Sequence, residues 1–197
     1  ISFTVAIQSY FFNFNTWGII GLILGIWIIA ASMIAIITSY SFNLNLKFFK
    51  KINAHVAHIG VGIAIIGITC SSVFKSEYFF NINEGDDFQI DKTNIIFEKI
   101  ETTNQSNFQA LRAKINIITN KNTIRSIKAG KNYYPVSKMI TTEAGILHEW
   151  NRDIYFILGD QTNGKWQVKV YVNPFVSFIW LGVIIMLYSG LIGVIRK

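Results

Sequence analysis

The chain has 197 residues, is 51% hydrophobic and has a mean hydropathy of +0.38, values that exclude a wholly water-soluble domain and point to a membrane protein with a sizeable water-exposed part. The net charge of +7 does not mark a nucleic-acid face, because all 11 acidic residues and most of the 18 basic ones share the stretch 75–173 and nearly cancel, while Lys47, Lys50, Lys51, Arg196 and Lys197 flank apolar runs. A single cysteine, Cys70, excludes an internal disulfide, a CxxC redox pair and a thiolate metal site, and it reads as a small apolar filler at the outer end of a helix.

Residues 1–15 are apolar and aromatic and read as an interfacial or truncated N-terminal segment. The chain starts at Ile1 rather than Met and has neither a basic n-region nor an Ala-x-Ala site there, so a fragment, a processed chain or a partial gene product is expected. Heavy use of Ile, Asn, Lys and Phe points to an AT-rich bacterial or organellar genome. Residues 16–39 form the first transmembrane helix, an uncharged run with Trp17 placed for the interface belt and Gly18, Gly21 and Gly25 on roughly one face for close packing.

A basic loop, 40–53, follows and is assigned to the inner side by its lysines. The next transmembrane helix, 54–74, carries His55 and His58 and runs outward. Residues 75–173 then alternate in short runs: Tyr78–Ile82, Phe88–Ile90, Ile95–Ile100, Ala113–Ile118, Ile154–Leu158 and Trp166–Val172. Turn material separates them, including Glu84-Gly85-Asp86, Thr119-Asn120-Lys121-Asn122, Ala129-Gly130 and Asn163-Gly164. This spacing predicts a small antiparallel β sandwich or barrel on the outer side, with Asn163-Gly164 the strongest hairpin signal. Pro174 closes the last strand, 174–195 is a third transmembrane helix, and 196–197 is its inner basic end.

A histidine in hydrocarbon is costly without a partner, and a neutral imidazole is the commonest metal ligand, haem iron included. His58 lies deeper than His55, and Gly60 and Gly62 beyond it leave room for a bulky planar ligand or a close helix. Two readings of His58 stay open at this point: a haem ligand, or a hydrogen-bonded packing residue. His55 lies near headgroup level and is the weaker candidate. No carboxylate stands near the pair, and the i,i+4 zinc spacing with its glutamate is absent. His148 reads as a surface residue, Gly85-Asp86-Asp87 as a turn without EF-hand spacing, and the five tryptophans as scattered. No nucleotide loop, nucleophile elbow or carboxylate pair is present.

Ala57-His58-Ile59-Gly60, with Gly67 further along, resembles the conserved helix of the CcmF haem-lyase family of cytochrome c maturation. The likeness continues in order through Gly85-Asp86, Tyr134-Pro135, Thr141-Thr142-Glu143-Ala144-Gly145-Ile146, Arg152-Asp153-Ile154-Tyr155-Phe156-Ile157-Leu158-Gly159-Asp160, Asn173-Pro174-Phe175-Val176 and Ile179-Trp180-Leu181-Gly182. It covers nearly the whole chain and matches the family's C-terminal third. The sequence departs from the family where the acidic residue expected before Lys131 is replaced by Ala129-Gly130, where the arginine expected after it is Asn132, and where a Gly-Pro-Asn-Tyr-like turn reads Gln105-Ser106-Asn107-Phe108.

The resemblance implies a portion of a cytochrome c haem lyase, with a membrane haem b and His58 as one of its two axial ligands. Covalent thioether attachment of haem to apocytochrome c is the implied reaction. The catalytic residues, the other ligand and the outer histidines belong to the family's earlier part, so activity is expected only with that portion or with partner subunits. Implied partners are other haem-lyase and haem-delivery subunits, apocytochrome c and the lipid bilayer, and no nucleic acid. The expected location is a bacterial inner membrane, or the mitochondrial inner membrane if organelle-encoded. The alternative is a non-enzymatic membrane assembly scaffold or receptor with an outer β binding domain. A transporter fragment is a weaker reading, because no helix is broken and no repeat exists.

Overall fold

An uncharged run inside a bilayer can satisfy its backbone polar groups only within itself, so it folds as a helix. The computed structural model describes residues 16–40, 46–91, 93–119 and 123–195, and it places helices at Thr16–Tyr40 (α1), Leu46–Val73 (α2) and Val176–Ile195 (α3). Each contains a membrane-length apolar span: Thr16–Thr38, Ile52–Val73 and Val176–Val194. The segment 1–15, the turn at Asn120–Asn122 and the basic end 196–197 lie outside the described residues.

One boundary differs from the sequence reading. α2 starts at Leu46, inside the stretch expected as a basic loop. Between Leu46 and His58 there is no Gly or Pro to stop a helix, and Leu and Lys are good helix formers, so the apolar span is continued by a basic turn.

Glycines let the three helices approach. On one side of α2, a Cβ at Gly18, Gly21 or Gly25 would meet Val73, Thr69 or Ile66 at 2.8, 2.3 and 2.7 Å. On the other side, Gly60 and Gly182 oppose each other's carbonyl oxygens, and Gly67 lies against Ile179. α2 is thus the middle helix, with α1 and α3 on nearly opposite faces. The Ser189 hydroxyl on α3 also donates to the Asn53 carbonyl of α2.

The second compact unit is the antiparallel sandwich. Its strands are Ser76–Ile82 (β1), Asp87–Ile90 (β2), Thr93–Asn104 (β3), Gln109–Thr119 (β4), Thr123–Tyr134 (β5), Met139–Glu143 (β6), Gly145–His148 (β7), Arg152–Thr162 (β8) and Lys165–Pro174 (β9). One sheet runs β1-β9-β8-β7 and the other β2-β3-β4-β5-β6. Alternation puts Ile95, Phe97, Ile115 and Ile117 of one sheet against Ile154, Phe156, Leu158, Val168 and Val170 of the other, all buried. The Asn163-Gly164 turn joins β8 to β9 with φ of 54° and 80°, the left-handed pair that a tight hairpin requires.

Ala129-Gly130, read from the sequence as turn material, instead lies within β5, opposite Ala113 and Arg112. A side chain at Gly130 would strike the Leu111 carbonyl at 2.0 Å and the Arg112 side chain at 2.8 Å. The glycine serves a close approach and not a turn. Above it, Arg112 Nη2 donates to Asn132 Oδ1 at 2.7 Å and pairs with Glu143 Oε2 at 2.7 Å, while Asn132 Nδ2 donates to Glu143 Oε1 at 2.6 Å. This network pins the register of β4, β5 and β6, and it accounts for the burial of Asn132.

Three carboxylates, the half-buried Glu98 and Glu101 and the exposed Asp160, titrate below their ordinary range. The Lys114 hydrogen bond lowers Glu98, the Lys99 hydrogen bond lowers Glu101, and the Lys131 hydrogen bond lowers Asp160. A group whose folded pKa is depressed stabilises the fold above its unfolded value and loses that contribution as pH falls through the folded one. The sandwich is therefore expected to melt at steadily lower temperature as pH drops below the ordinary carboxylate values of 4.5 and 3.8. Thermal melts from pH 6 to pH 2.5 check this, and a flat profile contradicts it.

Candidate functional site

His58 stands in the half of the α2 span nearer its basic end, six residues past Ile52, or about 9 Å along the axis. Its Nδ1 lies 2.6 Å from the Ala54 carbonyl oxygen. A carbonyl can only accept, so Nδ1 carries the proton, and in the neutral ring the lone pair is on Nε2. That bond fixes both the tautomer and the ring direction, which is what an outer partner does for a metal-ligating imidazole. The ring is exposed on α2, one turn before Gly62 and about 40° round the helix from it, at the margin of the α1 contact.

His55 is half-buried one turn nearer the basic end, with its ring centroid 6.5 Å from that of His58. Two imidazoles on adjacent turns of one helix reach the same side of a planar ligand, whereas axial ligands come from opposite sides. Gly60 and Gly62 both lie against helices: Gly60 against the Gly182 carbonyl and Met186 of α3, Gly62 against the Gly25 carbonyl and Ile29 of α1. Their effect is to hold α2 close between its neighbours. Among the described residues there is no group of three His, Cys, Asp or Glu that could hold a metal ion. One imidazole Nε2 directed away from its own helix, with no cluster of further ligands among the described residues, fits one position on a haem iron and does not fit a multi-ligand metal centre.

The sandwich holds a polar cluster that sequence reasoning passed over. Asp153 is 3% exposed although it sits at an outward position of β8, and its Oδ2 lies 3.0 Å from His148 Nδ1. Burial pushes the Tyr155 phenol above its usual range, and the Asp153 charge, which accepts the hydroxyl's hydrogen bond, adds to the effect. His148 is a surface residue, 71% exposed in its side chain, as its sequence context indicated. The missed role is that of Asp153, which the sequence shows only within the 152–160 motif, as a charge just ahead of an apolar run. Cys70 is buried near the end of α2.

A membrane protein with an antiparallel sandwich set between its second and third spans, and a tautomer-fixed imidazole on the second, is the class these observations define. Residues 73–174 match the family described as the CcmF C-terminal beta-sandwich, and the chain belongs to the CcmF family. It is 29% identical over 143 residues to a cytochrome c-type biogenesis protein CcmF of Pseudomonas fluorescens, covering 72% of this chain and 22% of that one. It is 31% identical to the CcmF of Escherichia coli over 137 residues, or 69% of this chain and 21% of that one. A solved structure, a cytochrome c haem lyase CcmF, shares the fold with a TM-score of 0.71 at 11% identity, covering 85% of this chain and 28% of that one. The chain thus spans about a fifth of the length of these curated relatives.

Proposed function

We propose that the chain acts as the C-terminal part of a cytochrome c haem lyase, and that His58 is an axial ligand to a membrane haem b. The observation that carries the reading is the His58 Nδ1 bond to the Ala54 carbonyl, which leaves Nε2 as the nitrogen able to bind a metal, within a membrane-length span in a chain of this family. An exposed polar nitrogen inside hydrocarbon is costly and calls for a partner. Bound haem would supply an iron centre whose potential follows from axial ligation and burial. This chain's own part is to present one imidazole and to hold its helix in place. Gly60 and Gly62 would contribute by letting α3 and α1 close on α2. The second ligand, and the thioether chemistry on apocytochrome c, would come from the rest of the lyase and its partner subunits.

In this reading the protein sits in a bacterial or mitochondrial inner membrane, with the sandwich on the outer side and the Lys47–Lys51 end of α2 inside. With Cys70→Ser removing the native thiol, a Ser137→Cys chain is expected to react with a membrane-impermeant thiol reagent added from outside. Reaction only after the membrane is opened contradicts the orientation.

The test of function is covalent haem on cytochrome c, read by haem staining in cells that supply the remaining lyase portion. Wild-type chain is expected to support staining, and His58→Ala to abolish it while remaining inserted. Full staining with His58→Ala favours the scaffold reading.

A further inference from the structure

Trp150 and Asn151 of the β7–β8 turn, with Arg152 at the start of β8, group with the helices and not with the sandwich. The turn is held there by a backbone bond, in which the Phe175 N–H donates to the Asn151 carbonyl at 2.8 Å. The Trp150 ring packs at 6.2 Å against Phe178 in the first turn of α3, and Phe178 in turn meets Phe175 edge-on at 5.1 Å. In spite of this contact, Trp150 remains 70% exposed.

The glycine contacts fix which end of the helical unit this is. Gly18 of α1 lies against Val73, the last residue of α2, and Gly67 lies against Ile179 near the start of α3. Trp17, next to Gly18 and 78% exposed, therefore stands at the same end as Phe74, Phe175 and Trp150. An indole has an apolar body and one N–H that requires an acceptor, and at the end of a membrane span both needs are met at the boundary between headgroups and acyl chains.

We propose that the β7–β8 turn is a membrane-interface anchor, with Trp150 inserting its indole into the phospholipid headgroup boundary at the end where α2 finishes. The chain then meets that boundary at four places: at the start of α1 at Trp17, after α2 at Phe74, at the turn through Trp150, and before α3 at Phe175. The argument for lipid over a protein partner is position. Trp150 packs on Phe178 in the first turn of a membrane-length span, at the end where Trp17 and Phe74 also stand exposed. The proposal rests on α1–α3 crossing the bilayer and is independent of any role for His58.

The test uses the full chain in phosphatidylcholine nanodiscs, with the Trp150 emission taken as the difference between wild type and Trp150→Phe. A nitroxide at acyl position 5 is expected to quench that component about twofold more strongly than one at position 16, with iodide in the water quenching little, as for an interfacial indole. A Ser137→Trp chain supplies the reference for a tryptophan in water. Three results each overturn the proposal: iodide quenching equal to that reference, stronger quenching from position 16, or no quenching by either lipid probe. The last would mean that protein covers the turn.

Discussion

A Gly182→Val chain is expected to lose the packing of α3 on α2. A Cβ at Gly182 would stand 2.4 Å from the Gly60 carbonyl oxygen and 2.8 Å from both the backbone nitrogen and the Cβ of Ala64. Two of the three obstacles are backbone, so no side chain can swing aside and the helices must separate. In a bilayer, helix association depends on close packing because the hydrophobic effect no longer drives it, and small residues at the contact make that packing close. Forcing a branched side chain into such a contact costs about 3 kcal/mol or more, at the upper end of overpacking penalties. Gly190 and Gly193 lie on the same helix with nothing within 4 Å of a built Cβ. Valine at either is expected to change stability by less than about 0.5 kcal/mol, as for a surface site. Unfolding the three chains in mixed detergent micelles makes the comparison. Equal stability of Gly182→Val and Gly190→Val contradicts the packing scheme.

Much of this architecture can be read directly from residue order. Uncharged runs bounded by basic residues mark the helices, and the period-two runs in 78–82, 95–100, 113–118 and 166–172 mark strands that bury one face. β5, β6 and β7 are not legible in the same way. β5 carries Arg125, Lys128, Lys131 and Asn132 among its apolar residues, with Gly130 placed by the Arg112 contact. β6 has no fully buried side chain, and β7 is four residues long. Periodicity reports burial, so a strand held by pairing and a polar network leaves a weak trace. The basic stretch before α2 is another case, since charge marks a membrane side without marking where a helix begins. The turn at 149–151 is a third: Trp150 stands in the sequence between a glutamate and an asparagine, and only the fold brings it to Phe178.

For the site, the sequence marks His58 by its depth and by the residues around it. It does not reveal which nitrogen is free, because that depends on the 2.6 Å bond from Nδ1 to a carbonyl one turn back. Nor does it separate the two roles of a glycine near a histidine. The contacts of Gly60 and Gly62 are with helices, which ties them to the placement of α2.

His58→Ala carries the other large effect. Removing an axial imidazole should lower haem content by at least about tenfold, since even the outer partners of a metal ligand are worth 10- to 100-fold in affinity. The side chain is exposed and its loss opens no cavity, so the variant should insert and pack as wild type does. His55→Ala should retain most of the haem, because His55 lies a turn nearer the basic end and shares the same side of α2. The most direct measurement is a pyridine haemochrome assay on the purified complex of this chain with the remaining lyase portion, for wild type, His55→Ala and His58→Ala. The account predicts haem in the first two and its loss in the third. Equal haem in wild type and His58→Ala would contradict the ligand assignment.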